Sequence, residues 1–138
     1  MCVISNDFYH SGSESTSAMT QPAQQVAIVL TTFGVGQSMA VARALVEERL
    51  AACVNVLPAM ASVYRWQGEV QQEAEEQMVI KTTADRLADL EARLRQLHPY
   101  GLPEFLVISA DASSEAYLRW IGEAVHGGPE GPPYHRAV

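Results

Sequence analysis

The polar chemistry of this chain is concentrated in His98-Pro99-Tyr100-Gly101-Leu102-Pro103-Glu104, which sets an imidazole, a phenol and a carboxylate in a short run stiffened by two prolines. An imidazole near neutrality can act as general acid or base, or give a neutral nitrogen to a metal ion. Rigid loops with polar side chains are where function concentrates. A structural role accounts for the same residues: His98 closing a helix against its C-terminal dipole, with the prolines fixing the turn. Gly34-Val35-Gly36 with Arg43 loosely imitates a phosphate-holding loop. Arg43, however, falls two turns into the following helix and points away from its mouth, so the glycines read as turn residues. Tyr64 and Trp66 read as packing anchors near a hairpin tip, and Cys53 as a small buried hydrophobe.

The elements that position these residues follow from changes in hydrophobic period. Val26-Ala27-Ile28-Val29-Leu30, ending at Gly34, has the continuous apolar pattern of a strand buried on both faces. Beyond Gly36, with Ser38 as the N-cap, Ala42, Leu45, Val46, Arg49 and Leu50 recur at helical spacing. Val54 to Gln67 reads as a long strand, Gln67-Gly68-Glu69 as a turn, and Val70 to Thr83 as the returning strand. Because Gln71-Gln72-Glu73-Ala74-Glu75-Glu76 is too polar for a core, this ribbon needs a further partner. Thr82 or Thr83 caps a second helix with Leu87, Leu90, Leu94 and Leu97 on one stripe, stopped by Pro99. Leu102 to Ser109 makes a fourth strand, and Ser113 or Ser114 opens a last helix carrying Tyr117, Leu118, Ile121, Ala124 and Val125. The fold class is α+β: a ferredoxin-like βαββαβ sandwich with a long β-hairpin and an extra C-terminal helix.

Composition bounds what this domain does. The chain has 138 residues, 48% hydrophobic, with a formal charge of -7, which disfavours phosphate backbones and acidic lipid surfaces. No apolar run is long enough to cross a membrane as a helix, and the expected compartment is the cytoplasm. Cys2 and Cys53 form no CxxC unit and read as free thiols. Residues 1–24 read as a disordered extension, with Met19 as an alternative start, residues 25–125 as the domain, and residues 126–138 as a Pro/Gly-rich tail. A soft-metal chaperone needs paired thiolates in the first loop, and Thr31 to Gly36 holds none. An RNA-recognition sheet needs aromatics on its central strands, where only Lys81 is polar and no aromatic occurs.

Five segments together resemble the CutA divalent-cation tolerance family. They are Ala51-Ala52-Cys53-Val54-Asn55-Val56-Leu57-Pro58, Tyr64-Arg65-Trp66-Gln67-Gly68-Glu69-Val70, Met78-Val79-Ile80-Lys81-Thr82-Thr83, His98 to Glu104, and Tyr117-Leu118-Arg119-Trp120-Ile121. The resemblance covers about residues 25 to 125. It implies a ferredoxin-like subunit in a tight homotrimer, and a cytoplasmic, non-enzymatic binding or regulatory role in the response to copper and other divalent ions. It further implies an intersubunit cleft, at positions matching Arg65, Trp66, Lys81, His98, Tyr100 and Glu104, for a small ligand or ion. Lys81 would supply positive charge, Tyr100 and Trp66 an apolar wall, and Glu104 would pair with Lys81 or Arg65, within the cleft or as an intersubunit ion pair. Family members proposed to bind copper carry a Cys at the end of the first strand and two adjacent His before the Pro. Here those positions hold Thr31, Leu97 and His98, so His98 alone remains as a metal ligand. The alternative is an ester or acyl-phosphate hydrolase using the same cleft, with His98 as acid or base and Lys81 or Arg65 stabilising an oxyanion.

Overall fold

The computed structural model describes residues 25–128; the expected extension 1–24 and residues 129–138 of the expected tail lie outside the described residues. The elements are β1 (Val26–Gly34), α1 (Ser38–Glu47), β2 (Cys53–Val56), β3 (Met60–Trp66), β4 (Glu69–Thr83), a short 3-10 turn (Ala84–Arg86), α2 (Leu87–Leu97), β5 (Leu106–Ser109) and α3 (Glu115–His126). Every strand pairing is antiparallel, in the order β2-β4-β1-β5, with β3 on the same side of β4 as β2. This is the expected ferredoxin-like arrangement, with β4 as the strand that joins the sheet to the hairpin.

The single strand expected from Val54 to Gln67 is instead two. β2 pairs Cys53 with Lys81 and Val56 with Met78, whereas β3 resumes with Met60 against Glu75. Three residues, Leu57, Pro58 and Ala59, therefore face two on β4, and the Leu57 N–H still donates to the Gln77 carbonyl at 2.9 Å. Pro58 has no N–H to continue the ladder, so the register slips there. At the far end Gln67 (φ 49°) and Gly68 (φ 83°) both occupy the left-handed region, the backbone of a two-residue hairpin turn. β5 is shorter than expected because Leu102, Pro103, Glu104 and Phe105 stay in the connecting loop. Ser38 is the first residue of α1 and Gln37 the N-cap, while Ser114 caps α3 as expected, its hydroxyl accepting from the Tyr117 N–H.

Residues facing each other across an antiparallel pair share a face of the sheet. Val29, Phe33, Met78 and Ile80 pack under Ala42 and Leu45 of α1 and Leu90 and Leu94 of α2. Val46, counted on the apolar stripe of α1, is instead exposed. α3 packs a smaller cluster, Ile121 and Val125 against Val26 and Ala52. The other face carries the rows Cys53–Lys81–Ile28–Ile108 and Asn55–Val79–Leu30–Leu106, on which Leu106 and Ile108 are 48% and 49% exposed. This strand therefore presents apolar side chains on the face that α1 and α2 leave open.

Candidate functional site

After α2 the chain rounds the end of β1, and that path sets the geometry of His98, Tyr100 and Glu104. His98 is buried, its ring stacked on Phe33 at a centroid distance of 4.0 Å. Its Nε2 lies 2.6 Å from the Thr32 carbonyl, and its Nδ1 accepts from the Tyr100 N–H at 3.1 Å. A carbonyl oxygen only accepts, so the proton sits on Nε2 and the Nδ1 lone pair is engaged by the loop backbone. Burial pushes the imidazole below the ordinary histidine value, against the Thr32 carbonyl and the Glu75 charge, which favour protonation. His98 is thus a neutral staple between β1 and the loop that carries Tyr100.

That staple aims Tyr100 at the uncovered sheet face. The Tyr100 hydroxyl donates to Oε2 of Glu75 at 3.0 Å, and Glu75 is itself buried. Desolvation, reinforced by Glu75, pushes the phenol up to about 12. Glu104 is raised above the usual carboxylate range by burial and by the Glu75 charge, with Gln77 and Thr32 as polar neighbours that oppose the rise. Across from this loop, β3 places Tyr64 opposite Gln71 and Trp66 opposite Glu69, on the face that also holds Glu73 and Glu75. Desolvation and the Glu73 carboxylate raise the Tyr64 hydroxyl. These groups line a cleft of about 890 Å³ whose walls include Thr32, Tyr64, Trp66, Glu73, Glu75, Tyr100, Glu104 and Leu106. A smaller cavity of about 450 Å³ lies on the other side of the same loop, against Glu91, Leu94 and Arg95 of α2.

The chain therefore brings Trp66, Tyr100 and Glu104 to one cleft, with His98 just behind it. Arg65 is not there: it alternates to the opposite face of β3, and its guanidinium donates to the Gly68 carbonyl at 3.2 Å. Lys81 shares the sheet face but stands four residues along β4 from Gln77, about 13 Å at strand spacing. The expected pairing of Glu104 with Lys81 or Arg65 is accordingly not made within this chain. Nor does a single chain bring His98 together with Lys81 or Arg65.

His98 as a metal ligand does not fit this arrangement, because neither ring nitrogen presents a free lone pair. Thr31 is fully buried with its hydroxyl unpartnered, and among the described residues no three His, Cys, Asp or Glu converge closely enough to hold a metal ion. Cys53 lies opposite Lys81 on β2 and is half-buried rather than the buried hydrophobe expected, its Sγ reaching only Asn55. Sequence reading missed Glu73, Glu75 and Thr32. The signal for the two glutamates is the strand period of two, which puts Glu69, Gln71, Glu73 and Glu75 on the same face as their cross-strand neighbours Tyr64 and Trp66.

Residues 26–124 match the family model described as CutA1 divalent ion tolerance protein. The chain belongs to the CutA1 divalent ion tolerance family. Among curated CutA proteins, the divalent-cation tolerance protein CutA of Thermus thermophilus is 39% identical over 110 residues, covering 80% of this chain and 96% of that protein. A solved CutA1 structure from the same organism superposes with a TM-score of 0.68 at 41% identity, covering 70% of this chain and 94% of that one. CutA from Synechococcus elongatus gives a TM-score of 0.70 at 38% identity, covering 78% and 96%. The ferredoxin-like fold read from the sequence is the fold of these CutA structures. No helix among the described residues is long and apolar enough to cross a membrane.

Proposed function

We propose that this CutA-family protein acts as a cytoplasmic homotrimer in tolerance of and response to divalent metal ions, copper among them, and that its working site is the cleft between Trp66, Tyr100 and Glu104. The observation that carries this reading is the cleft itself, opening on the uncovered sheet face beside the exposed strand of Leu106 and Ile108. Large concave sites with a few convergent polar groups on an apolar wall are where small ligands bind. Exposed apolar strand surface and the two unpaired edges of the β3–β4 hairpin favour assembly of like chains, since isolated ribbons are marginal in water. Cys53 as a free thiol suits a reducing compartment. In this reading His98 is a positioning residue: it fixes Tyr100 and leaves ligand contact to the groups in front of it.

The test is complementation of a strain lacking its own family member, grown on rising copper and zinc, with light scattering on the purified proteins. The wild-type chain should restore growth and scatter as three copies of 15.0 kDa. Trp66→Leu and Glu104→Gln should keep that mass and fail to restore growth. Cleft variants that rescue as well as wild type, or a wild-type protein that stays monomeric, would overturn the reading.

A further inference from the structure

The cleft has an uneven charge. Three carboxylates line it, Glu73, Glu75 and Glu104, together with the rings of Tyr64, Trp66, Tyr100 and Phe105, and among the described residues of the chain no Lys, Arg or His is on its walls. The basic groups that could neutralise it are directed elsewhere: Arg65 holds the turn carbonyl of Gly68, Lys81 lies along the strand, and Arg95 pairs with Glu91 on α2. Resting on the reading of this cleft as the working site, we infer that its ligand is an organic cation, an ammonium or guanidinium group carried on a flat apolar body. Aromatic faces attract such cations through their quadrupole, most strongly for Trp, and the attraction grows as water is excluded.

The geometry favours this ligand over a bare divalent ion. Each carboxylate already has a polar partner on its own wall: Tyr100 on Glu75, Tyr64 beside Glu73, and Gln77 and Thr32 on Glu104. They are spread over two strands and a loop, and no three of them converge as a coordination shell would require. A cation a few ångströms across with an apolar body meets the spread carboxylates and the rings together, and a volume of about 890 Å³ accommodates it. Glu104 responds to the same field. Burial and the Glu75 charge raise its carboxyl, and an arriving cation should lower it again, releasing protons where the group is partly protonated.

The test titrates the intact assembly with benzyltrimethylammonium and benzylamine, against benzyl alcohol and benzoate as neutral and anionic analogues, following Trp fluorescence. The expected result is saturable binding of both cations at least about tenfold tighter than of the alcohol. Trp66→Leu and Glu73→Gln should each weaken it about fivefold or more, and proton release should be measurable in weak buffer at mildly acidic pH and lost in Glu104→Gln. Charge-blind binding, or none of the cations bound by the intact trimer, overturns the inference. If none bind while Trp66→Leu and Glu104→Gln still abolish growth rescue, the cleft reading stands and the ligand class is wrong. If Glu73→Gln and Glu104→Gln dissociate the trimer, the carboxylates hold a basic side chain of a second copy, and both the inference and the ligand role of the cleft fail.

Discussion

His98 shows how a residue type that suggests metal chemistry can be committed elsewhere by its two hydrogen bonds. With Nε2 donating to Thr32 and Nδ1 accepting from Tyr100, His98→Ala should change copper affinity less than about threefold by calorimetry, yet lower stability by ~2–3 kcal/mol in denaturant unfolding. The folded ring takes a proton less readily than the unfolded one, so between the ordinary value near 6.5 and the depressed folded value the unfolded chain binds more protons. Stability should therefore fall as pH drops through that window, and His98→Gln should flatten the slope in pH-dependent unfolding curves. Tyr100 gives the opposite edge. Burial, reinforced by Glu75, pushes its phenol up to about 12, so it should be absent from a spectrophotometric tyrosine titration at pH 10 to 11; Glu75→Gln should move it down only part of the way, because burial, the larger cause, remains. The Thr31 hydroxyl is fully buried and unpartnered, so the isosteric Thr31→Val should raise stability by about 1 kcal/mol.

At the scale of elements, the hairpin is the feature whose local rules are most open to measurement. Gln67 sits at φ 49° before Gly68 at φ 83°, a pair of positions that two-residue turns fill best with Asn-Gly. Gln67→Asn should stabilise by a few tenths of a kcal/mol, and Gly68→Val should cost about 1–2 kcal/mol, both read from thermal unfolding. Helix ends obey the same logic: Ser114→Ala removes the hydroxyl that accepts from Tyr117 and should cost about 1 kcal/mol. Periodicity in the sequence located all three helices and the hairpin turn, because turns and amphipathic stripes are local. It merged β2 with β3 because the valines of β2 run on into the valine and aromatic residues of β3, and the register slip at Pro58 is expressed only against β4. It also extended β5 back to Leu102, where the loop instead follows Tyr100 and Glu104 onto the cleft.

For the whole molecule, the unequal faces of the sheet decide behaviour. One is sealed by α1 and α2, while the other leaves Leu106 and Ile108 half open beside a hairpin with two free edges. If three copies bury these surfaces, unfolding is linked to association: the midpoint should lie above the ordinary ~45–65 °C range and rise with protein concentration. Scanning calorimetry at two concentrations a hundredfold apart checks this, and a concentration-independent midpoint inside that range would count against assembly.

The sequence alone determined the helices, the hairpin turn, most of the apolar stripes and the loop that carries His98, Tyr100 and Glu104, since each depends on neighbours within a few residues. The tertiary structure decided which candidate residues meet. Strand parity turns Arg65 away from Trp66, register keeps Lys81 about 13 Å from the row of Gln77, and the fold of the loop spends both nitrogens of His98 on backbone partners far apart in sequence. Glu73 and Glu75 enter the site by the same route, because a carboxylate acquires a role from what the pairing of strands sets across from it.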